Sequence, residues 1–237
     1  MTVLGCFIQR SACILRATRL APDCSPVAGV GNGAVATGIA TITATPDITE
    51  GTRFQPQDAC GRTVYSSSEP NITNRYTFEM SLWTVDYELI EIMSSASLIL
   101  GAAGSGPAGA WEGHAIGIER PGPNTVSSPG YGLEVWVKNG SGTGNCGPAS
   151  TNPPYVKHVF PKLLTELGAR TFENDVAQVT FSGTAEPNSS WGEGPWGGFP
   201  GASPLAGTGW AEYFVEESDL PDDECGAITV PEYASGS

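Results

Sequence analysis

The sequence predicts a mainly β protein with long loops and one short α-helix. Glycine and proline are abundant, with 31 and 19 copies among 237 residues, and few segments have a helical period. The clearest strand signal lies in residues 75–84, where apolar and polar side chains alternate strictly, as in a strand with one buried face. Its apolar members are Tyr76, Phe78, Met80 and Leu82. Such alternation among many turn residues favours an all-β architecture.

The order of segments divides the chain into three parts. Residues 1–33 are predicted to form an N-terminal arm, because three closely spaced glycines make its end flexible. Residues 34–206 are predicted to form the β-domain. Residues 207–237 are predicted to be a C-terminal segment with an aromatic run followed by an acidic tail.

The β-domain begins with a threonine-rich, β-branched run over residues 37–45, which predicts a strand. Residues 46–58 contain Pro46, Gly51 and Pro56, so they are predicted to be a long polar loop. A second strand-like run covers residues 62–66 and precedes the alternating strand.

The period of the apolar residues changes at Asp86. Three of them then follow at i, i+3 and i+4, the spacing of one helix face, and these are Leu89, Ile92 and Met93. Asp86 is a suitable N-cap, and the two glutamates that follow place negative charge where the helix dipole favours it. The pattern predicts a helix over residues 86–94.

The second half of the domain contains further strand candidates. Residues 101–111 form a glycine- and alanine-rich loop, and residues 112–120 and 131–138 read as strands. In the latter, the apolar residues point one way and Glu134 the other. In the strand that ends near Ser182, the residues Gln178, Thr180 and Ser182 alternate with apolar ones, so it should have one wet face.

The charge and the cysteines limit the classes of function. A net charge of −14 argues against a protein that wraps DNA or binds a membrane surface, since both need cations. No apolar run is long enough to cross a membrane, and arginines interrupt the apolar residues near the start of the chain, so we recognise no signal peptide. We expect the protein to stay in the cytoplasm and its six cysteines to be free thiols.

The residues that could carry chemistry are few. His114 and His158 are the only histidines, and no G-x-S-x-G elbow or C-x-x-C pair is present. The acidic cluster of residues 216–224 lacks the spacing of a calcium-binding loop, so a solvated acidic face is favoured. We therefore expect a non-enzymatic protein with no cofactor and no metal.

Two blocks of the sequence resemble the major tail proteins, or tail tube proteins, of long non-contractile-tailed bacteriophages. The first block contains the segment TPDITEGTRFQPQDACGR and then a strand that ends in WTVDYELIEIMSSASLILG. Its matching positions are Pro46, Ile48, Gly51, Asp58, Gly61, the run Asp86–Leu89 and Gly101, and Tyr87 stands where the family tends to have proline. The second block matches at His158, Pro161, Val179, Gly183, Pro187, Asn188, Trp191, Gly194 and Pro195.

The resemblance implies a β-sandwich or half-barrel core with one flanking helix and terminal arms. It also implies a structural virion protein, assembled in the host cytoplasm, whose rings of six copies stack into the tube through which DNA is ejected. The implied partners are other copies of the chain, a tape measure protein, a tail terminator and distal tail or baseplate proteins. The resemblance further implies that DNA passes through the tube without specific binding and that no membrane is involved.

Candidate residues follow for two surfaces of such a tube. Subunit or ring interfaces are predicted at Pro46, Asp47, Ile48, Gly51, Arg53, Phe54, Gln55, Trp191 and Trp196. The lumen is predicted to be lined by Thr77, Glu79, Ser81, Glu134, Gln178, Thr180 and Ser182, because carboxylates and hydroxyls would repel or release a passing duplex. Glu79 and Glu134 could instead pair with Arg or Lys on neighbouring strands.

Two alternative functions remain open at this stage. A carbohydrate-binding or adhesin β-sandwich would use Trp191, Trp196 and Trp210 as a stacking platform. The second alternative is another virion structural protein, such as a capsid decoration protein.

Overall fold

The computed structural model of the protein describes residues 8–83, 86–94, 96–120, 129–140, 154–168, 178–197, 207–221 and 225–232. These residues form a mainly β structure with one α-helix, which confirms the predicted class. In chain order the elements are β1 (Ile8–Arg19), β2 (Gly29–Ala36), β3 (Ile39–Thr49), β4 (Arg53–Phe54), β5 (Ser67–Ser68), β6 (Ile72–Leu82), α1 (Tyr87–Met93), β7 (Ser97–Leu100), β8 (Ala115–Glu119), β9 (Tyr131–Gly140), β10 (Tyr155–Leu167), β11 (Val179–Ala185), β12 (Ala211–Val215) and β13 (Gly226–Val230).

Nine of the strands form one antiparallel sheet. Its order is β13-β2-β1-β9-β10-β11-β6-β3, and β12 also pairs with β10. β12 and β11 share one edge of β10, with β12 along Tyr155–Val159 and β11 along Leu163–Leu167. Pro161, which has no N–H to donate, lies between these two ladders. The edge strand β3 packs against β1 without pairing with it, so the sheet curves over itself. The arrangement is consistent with a β-sandwich.

The main core lies on the inner face of this curved sheet. The strands of its two halves contribute buried side chains that include Leu15, Leu133, Phe78 and Phe181. Phe78 on β6 contacts Phe160 on β10 edge to face, with ring centroids 5.2 Å apart. The alternation predicted for residues 75–84 is confirmed, since Phe78, Met80 and Leu82 are buried.

The helix α1 covers one part of this inner face, as its spacing predicted. Leu89, Ile92 and Met93 are buried in the core together with Ile90. Asp86 is the N-cap, and its carboxylate accepts hydrogen bonds from the backbone N–H groups of Glu88 and Leu89 at 2.9 and 3.3 Å. The predicted helix and its cap are therefore confirmed.

Both predicted chain ends need correction. Residues 8–33 are not an arm, because β1 and β2 are inner strands of the sheet. Residues 1–7, the start of the predicted arm, lie outside the described residues. β1 is buried on both faces, with Leu15 and Ala17 on one side and Arg16 and Thr18 on the other. Unlike a half-buried strand, it therefore has a covered polar face as well as a covered apolar face. The described residues of the 207–237 segment supply β12 and β13 to the same sheet.

The acidic cluster is described only in part. Glu217–Asp219 form one 3₁₀ turn, capped by Glu216, whereas residues 222–224 lie outside the described residues. Within the described ranges, no helix is both long and apolar enough to span a bilayer.

Candidate assembly surfaces

The outer side of β3, β6 and β11 carries three rows of polar side chains. Residues that pair directly across antiparallel strands lie on the same face. The pairing gives the rows Thr41–Ser81–Thr180, Thr43–Glu79–Ser182 and Thr45–Thr77–Thr184. The second row continues to Glu166 on β10, which pairs with Ser182. We call these ten residues the hydroxyl face. These ten residues include two carboxylates and no lysine or arginine, and the next pair along the same face, Asp47 and Arg75, forms an ion pair at 3.3 Å.

The predicted lumen residues differ in their exposure to solvent. Thr77, Glu79, Thr180 and Ser182 are exposed on the hydroxyl face. Ser81 lies in the same rows but is only 8% exposed, and its hydroxyl and that of Thr41 are hydrogen-bonded at 2.6 Å. Gln178 is half-buried just before β11.

Sequence reasoning missed four hydroxyl-bearing members of this face. They are Thr41, Thr43 and Thr45 on β3 and Thr184 on β11. The alternation of threonine with apolar residues in TITAT was the signal that could have found the first three.

Glu134 was wrongly predicted to face the lumen. It is 3% exposed and lies between two cations. Arg16 Nε donates to Glu134 Oε2 at 2.6 Å, and Lys157 Nζ lies 2.5 Å from Oε1. The alternative, pairing with cations on neighbouring strands, is the one that the structure shows. The alternation of side chains in β9 correctly predicted which residues share a face. Both faces of the strand, however, are buried in the folded subunit.

The ion cluster of Arg16, Glu134 and Lys157 is enclosed by aromatic rings. The Arg16 guanidinium lies 4.1 Å from the ring centroid of Trp196, and Lys157 Nζ lies 5.0 Å from that of Trp136. Burial by itself would raise the pKa of Glu134, but the charges and hydrogen bonds of the two cations outweigh it and lower that pKa. The cluster therefore holds three ionised groups together inside one subunit.

Trp191 was wrongly predicted at a subunit interface, because it is buried within the subunit, whereas the interface role of the half-buried Trp196 stays a prediction. Trp191 is 1% exposed and packs with Leu20 and Val159. Its indole lies so close to Gly132 that a Cβ there would come within 2.0 Å of a ring carbon. Trp196 is half-buried over Arg16, and its Nε1–H donates to Thr18 Oγ1 at 3.4 Å.

Trp210 also packs inside the subunit, beside a cleft of about 500 Å³ between β3 and β1–β9–β10. It stacks on Phe160 and donates from Nε1 to His158 Nδ1 at 3.2 Å. The other nitrogen, His158 Nε2, is buried without a hydrogen-bond partner among the described residues. Burial lowers the pKa of His158, and the Glu212 carboxylate, 3.6 Å away, opposes this effect.

Residues 46–58 are not a loop but one half of a two-stranded β-arm. Pairing of β3 with β6 continues to Thr49 and Ile72, then through β4 and β5, then through a bridge between Gln57 and Thr63. At the tip, Asp58 Oδ1 accepts from the N–H groups of Cys60 and Arg62, both at 2.8 Å. We call residues 46–75 the β-arm. The loop was predicted from Pro46, Gly51 and Pro56, and the short, exposed strands offer no apolar alternation that would have indicated pairing.

The predicted interface residues of the first block all lie on this β-arm. Pro46, Asp47 and Ile48 belong to β3, and Gly51 follows it. Arg53 and Phe54 form β4, and Gln55 comes directly after it. The β-arm also exposes large apolar side chains, with Ile48 48%, Phe54 61%, Val64 70%, Tyr65 59% and Ile72 61% exposed. Uncovered apolar groups of this number indicate a contact surface. Their role as an interface stays a prediction.

The two outermost strands of the sheet leave their outer edges open. Among the described residues, β3 pairs only with β6, and β13 pairs only with β2. An open edge presents backbone N–H and C=O groups that can pair with another chain. The β3 edge spans 11 residues and borders the hydroxyl face.

The described residues contain no cluster of three or more His, Cys, Asp or Glu side chains that could hold a metal ion. Cys13, Cys24, Cys60 and Cys225 are free thiols, whereas Cys6 and Cys146 lie outside the described residues. No protein-family model matches this chain, and no curated protein has a significantly similar sequence.

Proposed function

We propose that this chain is the tail tube subunit of a long non-contractile-tailed bacteriophage, a structural virion protein whose stacked rings form the conduit for DNA ejection. The observation that carries the proposal is the hydroxyl face, an exposed sheet surface of hydroxyls and carboxylates that ends at the open edge of β3. The two sequence blocks that resemble tail tube proteins support the same function.

The chemistry of the hydroxyl face suits the wall of a DNA conduit. Each phosphate that a lysine or arginine neutralises adds affinity for nucleic acid, and this face has neither residue. Carboxylates such as Glu79 repel phosphates over about 8–10 Å, the screening length in physiological salt. A duplex would therefore pass such a wall without being held.

The open edges and the β-arm suit assembly of the same chain. In the proposed ring of six copies, pairing between strand edges would close the inner sheets into one continuous barrel, which removes the exposed edges. The β-arm would reach a subunit of the adjacent ring. The tape measure, terminator and baseplate proteins would be the partners at the ends of this tube.

The positions of three tryptophans favour the tail tube over the carbohydrate-binding alternative. Trp191 is buried, Trp196 covers Arg16, and Trp210 stacks on Phe160, so these three indoles offer no shared exposed platform.

Electron microscopy of the purified protein tests the proposal. We expect tubes with a central bore, either spontaneously or when tail-tip complexes from the phage seed them. Monomers that bind sugars would support the adhesin, and binding to purified capsids would support the decoration protein. Either result, without tubes, would overturn the proposed function.

A further inference from the structure

A second exposed apolar region lies at the outer end of the β7–β8 hairpin. Leu98 and Ile118 at its base are half-buried, and Ile118 packs against the main core. Beyond them the hairpin exposes Ile99 (46%), Leu100 (56%), Trp111 (52%) and Ile116 (42%). We call residues 99–116 the hairpin tip.

The hairpin tip is held in place by backbone hydrogen bonds. Gly101 N–H donates to His114 C=O at 3.0 Å, and Gly113 N–H donates to Gly101 C=O at 3.0 Å. Glycine is required at Gly106, where φ is +76° and a Cβ would lie 2.5 Å from the Trp111 ring. The tip therefore presents a fixed, half-exposed tryptophan, the residue type most enriched at binding hot spots.

The β-arm and the hairpin tip lie at opposite ends of β6. The β-arm joins β6 at its Ile72 end. His114 of the hairpin tip lines a cleft with Ala36 and Asp86, which lie near the Leu82 end. Eleven strand residues separate the two ends, a length of roughly 35 Å. Because the β-arm extends the β3–β6 ladder away from the tip, it cannot cover the tip of its own subunit.

Charge favours contact between these two regions over other contacts between copies. The chain has a net charge of −14, but the β-arm has three arginines against four acidic residues, and residues 96–120 have two glutamates and one arginine. Most other surfaces of two copies would repel each other. Among the described residues, Arg53 and Arg62 of the β-arm and Glu112 of the tip form no ion pair.

We propose that the hairpin tip is the surface that receives the β-arm of a second copy of this chain. Apolar side chains of the arm, such as Phe54 and Val64, cover Trp111 and Leu100 of the next subunit. The contact is head-to-tail, so it joins two different surfaces and extends into an open assembly. The inference rests on the proposed function, because it names the partner surface by which successive rings stack.

Cross-linking tests the contact directly. Cys60 is exposed at the end of the β-arm, so Leu100→Cys places a thiol where the arm of the next copy should reach. After treatment of the concentrated protein with a short bis-maleimide, mass spectrometry should find peptides that join position 60 of one copy to position 100 of another. Val30→Cys, at a position that is 83% exposed on β2, is the control and should give no such link to position 60.

Assembly of a second variant gives an independent measurement. Trp111→Ser should raise the critical concentration for tube formation about 30-fold, as loss of a hot-spot side chain does, whereas Val30→Ser should change it less than about 2-fold. Circular dichroism checks that both variants are folded. The inference fails if the 60–100 link is absent, whether or not tubes form. Tubes of the Leu100→Cys variant without this link would overturn the inference and leave the proposed function standing, whereas the link without any tube would overturn the function.

Discussion

The environment of Glu134 could not be predicted from its own strand, because residues of neighbouring strands surround it. Its carboxylate lies between Arg16 and Lys157 and is 3% exposed, whereas Glu79, on a nearby strand, is exposed. A buried ion pair stabilises a fold little compared with apolar packing, but loss of one partner leaves an unpaired charge in the interior. We therefore expect the two glutamates to differ greatly in their effects on stability.

The first prediction compares these two glutamates. Glu134→Gln should lower the free energy of unfolding by about 3 kcal/mol or more, because two buried cations lose their counter-charge. Glu79→Gln is the matched control and should change it by less than about 0.5 kcal/mol, as an exposed substitution does. Chemical denaturation monitored by tryptophan fluorescence measures both values. Equal effects of the two variants would contradict the buried position of Glu134.

The second prediction concerns the pH dependence that His158 adds. Burial lowers the pKa of His158 below its ordinary value of 6.5 in the folded protein. The unfolded chain therefore binds more protons than the folded one below about pH 6.5. As a result, His158 makes the free energy of unfolding decrease as the pH falls below that value.

Measurement of the free energy of unfolding between pH 7 and pH 5 checks this dependence. It should fall less steeply with decreasing pH in His158→Gln than in the unmodified protein. His114→Gln changes the other histidine, which is exposed, and should keep the original slope. A His158→Gln variant with an unchanged slope would show that His158 gains its proton equally in both states.

At the scale of elements, local patterns predicted local structure well. β6 and α1 each have one buried face, so the period of their apolar residues is visible in the chain. β1 is buried on both faces, and its partners β2 and β9 are fixed by pairing that no local pattern records. The β-arm was missed as a β element for a different reason, since its strands bury almost nothing and have no apolar period to read.

The third prediction concerns the β-arm as an element. Thr52 C=O accepts a hydrogen bond from Glu69 N–H at 3.1 Å, so a two-residue Asn-Gly turn can replace residues 53–68 without disturbing the ladder below. We expect this shortened chain to remain folded, because the removed residues are almost all exposed, and to form no stacked tubes. Thermal unfolding and electron microscopy measure the two results.

This replacement is a better test than deletion of residues 48–57 alone, which would remove one side of a paired hairpin and leave the other side without its partner. Long tubes from the shortened chain would show that the β-arm has no part in stacking.

At the scale of the whole molecule, the function depends on where the negative charge lies. The net charge of −14 keeps copies apart in solution, yet only two carboxylates, Glu79 and Glu166, lie on the hydroxyl face. The composition predicted a repulsive surface, but it could not predict which strands would present it. That depends on the register of β3, β6 and β11, which arises from contacts between distant parts of the chain.

The fourth prediction tests this surface in assembled tubes. Glu79→Lys should slow DNA ejection at low salt, because each copy adds a cation that contacts phosphates, and raised salt should restore the rate. Glu217→Lys makes the same change in net charge at an exposed site off the hydroxyl face, and it should leave ejection unchanged. If both variants eject DNA at the original rate from intact tubes, Glu79 does not line the bore.

The pairing of β1 and β2 also has a consequence for how the chain folds. Arg16 on β1 meets Glu134 on β9, which is synthesised 118 residues later. Val35 on β2 meets Gly226 on β13, which is later still. Topologies with such distant partners fold slowly, because long loops must close before the contacts form. Until β9 and β13 have been made, β1 and β2 lack their outer partners, so the edges of this pair stay open to other chains. The outer strand β13 can be added only after nearly all the others have been made, so only nearly complete subunits offer that edge for assembly.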